Sequence, residues 1–147
     1  MKEVFDKALK ELNDGKEFVV ASVVKTSGST PQKPGSKLLV KIDGKTVGTL
    51  GGGCVEGDIW FASKEILEKG GKSKYQDYVL NEDLAANDGL VCGGTMYFLI
   101  DPYRKSNVEI NEKILNEIEK GYQGEFSLAS ATIVDSKEKN EIGNKLI

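Results

Sequence analysis

Asp43-Gly44 divides two short apolar-rich runs, Lys37 to Ile42 and Lys45 to Leu50, and a dipeptide of this kind tolerates the positive φ of a type I′ turn. The two runs are predicted to pair as an antiparallel hairpin, which commits part of the chain to sheet. Upstream, Val4, Phe5, Ala8, Leu9 and Leu12 recur near every 3.6 residues and predict a short helix with one buried stripe, stopped around Asn13-Asp14-Gly15. Phe18 to Val24 is a dense β-branched run and reads as a mostly buried strand.

Past the hairpin, Gly51-Gly52-Gly53-Cys54 leads into Ile59, Ala62, Ile66 and Leu67 at helical spacing, with Glu65 and Lys69 at i, i+4. The triple glycine is therefore the joint between a strand and a helix. Gly70-Gly71 ends that helix, and Tyr75 to Leu80 reads as a strand before a polar stretch from Asn81 to Asp88. Gly89 to Gly94 leads into an apolar strand, Thr95 to Ile100, closed by Asp101-Pro102. Ser106-x-x-Glu109 has the form of a capping box ahead of Ile110, Ile114, Leu115 and Ile118, with Gly121 just past the helix end. Phe126 to Val134 supplies the last clear strand, and the charged tail from Asp135 carries little pattern. The order predicts an α+β single domain over 1–147, with a mixed or antiparallel sheet covered by about three helices.

A chain of 147 residues buries about 68–70% of its unfolded surface and holds a core without staples. Hydrophobic residues make up 39% and charged residues 29%, the balance of a globular protein. A formal charge of −3 gives no basic field to collect nucleic acid or anionic membrane, so neither is an expected partner. No stretch approaches the ~20 apolar residues of a membrane span. The charged segment Met1 to Lys16 lacks a secretory core, and two cysteines make no disulfide framework, which points to a reducing cytoplasm. There is no histidine, which excludes a Ser-His-Asp triad, a Cys-His pair and any zinc site with a His ligand.

The remaining chemistry falls on thiols, carboxylates, hydroxyls, lysines and backbone amides. Glycines at Gly51-Gly52-Gly53 allow positive φ and close approach of a ligand to the main chain, and the following helix presents unpaired N–H groups, an anion-binding geometry. Cys54 there would have its thiolate stabilised, although Glu56 and Asp58 oppose the effect. The alternative is a tight turn with a buried thiol. Cys92, followed by Gly93-Gly94, is in a similar setting, and a bulge with a buried thiol is again the alternative. If strand pairing brings the two segments together, they offer soft sulfur ligands beside exposed amides. Thr26 to Lys37 concentrates hydroxyls and two lysines on a loop stiffened by Pro31 and Pro34, suited to an anion or to plain solvation. Gly71-Lys72-Ser73 imitates the end of a P-loop, but Ile66 stands where its first glycine belongs. Trp60 and Phe61 add aromatic surface to the second helix, which either packs in the core or faces a ligand or another protomer.

Gly28-Ser29-Thr30-Pro31-Gln32-Lys33-Pro34-Gly35, Gly48-Thr49-Leu50-Gly51-Gly52-Gly53-Cys54-Val55-Glu56, Gly89-Leu90-Val91-Cys92-Gly93-Gly94-Thr95 and Asp101-Pro102, taken in that order, resemble the signature of the xanthine dehydrogenase accessory factor family (XdhC/CoxI type), in its amino-terminal domain. The resemblance spans essentially the whole chain. It implies a protein that binds the molybdenum cofactor (molybdopterin) as cargo, assists its sulfuration with a cysteine desulfurase, and inserts it into a molybdenum hydroxylase of the xanthine dehydrogenase type, without being the hydroxylase. It further implies a cofactor-binding set of Ser29, Thr30, Lys33, Gly51, Gly52, Gly53, Cys54, Glu56, Cys92, Gly93 and Gly94. Cys54 and Cys92 would be the thiols near molybdenum, with Cys54 the candidate for sulfur chemistry. Two features depart from the family pattern: the Rossmann-like second domain is expected to be absent, and the basic residues before Pro-Gly are represented by Lys33 alone, with Gln32 uncharged. Homodimerisation is plausible for the family. Two other functions remain open, a thiol-based sulfur-transfer protein with Cys54 as persulfide acceptor, and an interaction module of a split factor that partners a separate Rossmann-domain chain.

Overall fold

A computed structural model describes residues 1–80 and 93–146. Five strands form one antiparallel sheet in the order β3-β2-β1-β5-β4: β1 is Phe18–Ser27, β2 Lys37–Lys41, β3 Thr46–Gly48, β4 Lys74–Val79 and β5 Thr95–Tyr103. Among the described residues three helices pack on it, α1 over Lys2–Asn13, α2 over Gly53–Lys69 and α3 over Val108–Gln123. The predicted α+β class and antiparallel sheet are therefore what the chain adopts.

The β-branched density of β1 follows from its position. It is central, between β2 and β5, and both its faces are covered. Val19, Ala21 and Val23 join Leu38, Val40, Met96, Phe98 and Ile100 beneath Val55, Ile59, Ile66 and Leu67 of α2. On the opposite face Phe18, Val20, Leu39 and Tyr103 meet Val4, Ala8 and Leu12 of α1 and Leu115 of α3. Each fully buried Leu, Ile or Phe here contributes about 1.5–3 kcal/mol relative to exposure. Between Val23 and Lys25 the β1–β5 register shifts by one residue, a bulge that precedes the loop after β1.

Helix ends are fixed by specific groups. At the α2 C-terminus Gly70 adopts φ 73° and the Gly71 N–H returns to the Ile66 carbonyl at 3.0 Å. Arg104 completes that end: its guanidinium donates to the Ile66 carbonyl at 2.6 Å, to the Gly71 carbonyl at 3.1 Å and to Glu17 at 3.2 Å.

Several local expectations are corrected. The hairpin joins β2 to β3 as predicted, but no described non-glycine residue has a positive φ, so Asp43 does not enter a type I′ turn. Instead Gly44 alone is left-handed at φ 83°, its N–H bonded to the Lys41 carbonyl at 2.9 Å, and Asp43 accepts from the Lys45 amide at 3.0 Å. β5 runs through Asp101-Pro102 to Tyr103, because its last β4 partner is Ile100 opposite Lys74 and Pro102 removes no ladder bond from that side. The Ser106–Glu109 capping box does not form: Lys105–Asn107 is a 3₁₀ turn, Asn107 is the N-cap, and no side chain bonds there. Gly121 lies within α3, where a Cβ would stand 3.2 Å from Leu128 Cβ, and Gly124 at φ 82° ends the helix. Of the strand predicted for Phe126 to Val134 only β6, Ala131–Thr132, exists. It pairs with β7, Lys145–Leu146, in a separate two-stranded sheet, while Phe126 stands 40% exposed off the main sheet.

Candidate functional site

Three glycine-bearing segments meet at one end of the sheet. The first is the loop between β1 and β2. Its two prolines and its internal bonds hold it in shape: Thr30 Oγ1 donates to the Gln32 carbonyl at 3.0 Å, Ser36 Oγ donates to Gln32 Oε1 at 2.8 Å, and the Gly35 N–H reaches back to the Val23 carbonyl at 2.8 Å. Ser29 and Lys33 are exposed on it, and Thr30 is half-buried.

The second segment is the β3–α2 joint. Gly51, Gly52 and Gly53 have φ of 108°, 73° and 64°, three successive left-handed residues that any other side chain would strain. Their purposes differ. A Cβ at Gly51 would lie 2.7 Å from Pro31 Cβ, so this glycine is needed for contact with the first loop. Among the described residues a Cβ at Gly52 or Gly53 would meet nothing within 4 Å, so toward these residues the two present open backbone.

Glu56, one turn into α2, folds back over the joint. Its Oε2 accepts from Thr49 Oγ1 at 2.9 Å, from the Leu50 N–H at 2.9 Å and from the Gly52 N–H at 3.1 Å, while the Gly51 N–H donates to Thr49 Oγ1 at 3.1 Å. Burial raises the Glu56 carboxyl, but the bonds from Leu50, Thr49 and Gly52 together outweigh it and hold the group below its ordinary range. An anion arriving at the helix start would find these amides already facing a carboxylate of the chain itself.

The third segment is Gly93-Gly94, ahead of β5. The Gly94 carbonyl accepts from the Leu80 N–H at 2.9 Å. Gly94 is pressed against the first loop: a Cβ on it would stand 2.3 Å from the Ser29 carbonyl oxygen and 2.6 Å from that of Ser27, and one on Gly28 would stand 3.1 Å from Gly94 Cα. Cys92 lies outside the described residues, as does the polar stretch from Asn81 to Asp88. Cys54 is exposed at the start of α2. Beside it, the Tyr78 hydroxyl is pushed up by burial, by its hydrogen bond with the Asp58 carboxylate and by Cys54. The sequence-predicted residues Ser29, Thr30, Lys33, Gly51, Gly52, Gly53, Cys54, Glu56, Gly93 and Gly94 thus lie on three segments, of which the second and the third each pack against the first.

Trp60 and Phe61 separate in role. Trp60 is half-buried, with its Nε1–H donating to the Gly44 carbonyl at 2.8 Å, so it fastens α2 to the hairpin turn; Phe61 is 66% exposed.

Two clefts among the described residues lie elsewhere, and neither is lined by Gly51, Gly52, Gly53, Cys54, Gly93 or Gly94. One, of about 710 Å³, separates the α1 and α3 face of the sheet from the segment after α3. The other, of about 690 Å³, is bounded by Lys72, Asn107, Asn111, Asn140 and Asn144. Asp101, only 7% exposed, stands between them, accepting from Ser73 Oγ at 2.7 Å and paired with Lys145. Lys37 lines the first cleft and donates to Ser22 Oγ at 2.8 Å. Burial and the Lys145 ammonium push Lys37 below the ordinary lysine range, with Asp101 pulling the other way. In the sequence Asp101 stands at the end of an apolar strand and Lys37 at the end of the hydroxyl-rich loop, but no spacing links either to Ser73 or to Lys145, which sits in a tail with little pattern.

Residues 11–78 match the model of the XdhC and CoxI family. Among curated proteins, one from Bacillus subtilis described as a probable xanthine dehydrogenase subunit is 43% identical over 49 residues, 33% of this chain and 15% of that protein. The uncharacterized protein YqeB of Escherichia coli is 32% identical over 97 residues, 66% of this chain and 18% of that protein. The chain thus aligns with under a fifth of the length of either relative. A crystal structure described as a xanthine dehydrogenase from Bacillus halodurans superposes with a TM-score of 0.61 at 24% identity, over 80% of this chain and 35% of that one, a likeness of fold.

Proposed function

Because the chain belongs, through residues 11–78, to the XdhC and CoxI family, we propose that it is an accessory protein of a xanthine dehydrogenase-type molybdenum hydroxylase that carries the molybdenum cofactor as cargo and assists its sulfuration and insertion. The observation that carries this reading is the convergence of the three glycine segments, in which Gly94 rests on the Ser27 and Ser29 carbonyls and Gly51 on Pro31.

The cargo has an anionic phosphate, a flat pterin and a sulfur-bound metal. Exposed Ser29 and Lys33 supply a hydroxyl and an ammonium for the anionic end. Open backbone at Gly52 and Gly53 lets a flat group approach the main chain. Exposed Cys54 supplies a soft sulfur near the metal, with Cys92 as its proposed companion. Glu56 serves this site by holding the joint in shape. In this reading 1–147 acts as a single domain in the cytoplasm, with a cysteine desulfurase as sulfur source and a separate Rossmann-domain chain or a second copy as further partners.

Purified protein mixed with molybdenum cofactor is expected to retain molybdenum and pterin through gel filtration, with less retained after Cys54→Ala or Cys92→Ala. Well-folded protein that keeps neither overturns the reading. The exposure of Cys54 favours one second reading, direct sulfur transfer, in which the Cys54 thiolate attacks a desulfurase persulfide, takes its outer sulfur and releases the desulfurase thiol. Mass spectrometry after incubation with desulfurase and cysteine would then find one added sulfur atom on Cys54, and an unchanged mass would exclude it.

A further inference from the structure

We propose that the 710 Å³ cleft between the sheet and α3 is a second binding site, separate from the glycine cluster, for a small molecule with one anionic group on a flat aromatic body. Its volume lies within the roughly 300–1,000 Å³ of small-molecule pockets.

The charge of the ligand follows from the charges that line the cleft. Its charged side chains are Lys37, Asp101 and Lys145. Asp101 is already matched, by Lys145 and by the Ser73 hydroxyl. Lys37 is left with the neutral Ser22 hydroxyl at 2.8 Å and the Phe5 ring, whose centroid is 5.8 Å from Nζ. Among the described residues it makes no ion pair. A half-buried ammonium without a counter-ion loses solvation, and an entering carboxylate or phosphate would restore a charged partner.

The aromatic body follows from the walls. Phe5 and Tyr122 form a tilted pair with centroids 6.0 Å apart, and Tyr122 and Phe126 remain 41% and 40% exposed along the cleft. Leu99, Ile114 and Ile118 complete an apolar lining. Flat rings suit offset stacking against such walls.

The full chain titrated with 1-naphthoate and with the uncharged 1-naphthalenemethanol, followed by amide chemical shifts, tests the proposal. Naphthoate is expected to bind about tenfold or more tightly than the alcohol, as a charge-assisted bond gives, with shifts at Ser22, Lys37 and Tyr122. Lys37→Met should bring naphthoate down to the affinity of the alcohol, Lys37→Arg should keep the preference, and Phe126→Ala should weaken both ligands. Equal affinity for the two ligands, no binding by folded wild-type chain, or an unchanged preference in folded Lys37→Met overturns it. Molybdenum cofactor retention is a separate readout, so failure of either site leaves the other interpretable.

Discussion

Gly94 lies so close beneath Ser29 that a single added methyl group would stand 2.3 Å from the Ser29 carbonyl oxygen. The two nearest obstructing atoms are backbone, from Ser29 and Ser27, and cannot swing aside as a side-chain tip would. Gly94→Ala should therefore destabilise the fold by about 1–3 kcal/mol, the range for overpacking, and lower the melting temperature by several degrees. Gly52→Ala meets no described residue and should cost backbone strain alone, about 1–3 kcal/mol, because φ 73° with ψ −170° is a region kept almost entirely to glycine. Thermal melts of Gly94→Ala check the contact, and a melting temperature equal to that of the wild type would contradict it.

The Glu56 carboxylate gives a pH signature. Its folded-state pKa lies below the ordinary glutamate value, so its stabilisation is fully present above the unfolded value and is lost as pH falls through the folded one. The urea midpoint of wild type minus that of Glu56→Gln should be constant from neutral pH to about 5 and shrink below it. Glu56→Ala leaves Thr49 Oγ1 and two amides without their acceptor and should cost about 1–2 kcal/mol at neutral pH, at the lower end for a charged acceptor because the site is partly solvated. A difference that grows on acidification would contradict the assignment.

Asp101 and Lys145 make a pair in which each side chain needs the other. Their side chains are 10% and 16% exposed, so removing Lys145 strands a carboxylate in a poorly solvated place with Ser73 as its one remaining donor among the described residues. Lys145→Met should cost about 3 kcal/mol, and Asp101→Asn plus Lys145→Met together less than the sum of the single costs. A double-mutant cycle in urea checks this, and strict additivity would show the pair to be uncoupled.

What the sequence revealed and what it hid divide along the range of the interactions. The stripe of α1, the buried β1 and the Asp43-Gly44 hairpin are written in local spacing, and the structure has them. Gly121 looked like a helix stop because glycine usually is one, yet Leu128 needs that space and the stop falls three residues later at Gly124. Phe126 to Val134 had strand composition but joins no strand of the main sheet, and only Ala131–Thr132 found a partner, in β7. At the glycine cluster, residue types and order were visible in the sequence. That Glu56 would occupy the joint's own amides was not, since it depends on a side chain folding back across a turn. The Lys37 cleft was hidden more deeply, because Ser22, Asp101 and Lys145 come from three strands far apart in the sequence.

Arg104 offers the sharpest test of how α2 is tied to the rest. One guanidinium serves two carbonyls at the helix C-terminus, Ile66 and Gly71, and also Glu17 in the turn before β1. The planar fork reaches several acceptors at once and its charge faces the negative end of the helix. Lysine keeps the charge but concentrates its donors at one atom, so Arg104→Lys cannot span all three partners. The expected cost is about 1.5–3 kcal/mol, one lost charge-assisted bond. Exchange protection should fall selectively in the last turn of α2, with β1 unaffected. Uniform loss of protection across the sheet, or none at all, would show that this end of the helix is held by Gly70 and its backbone bond alone.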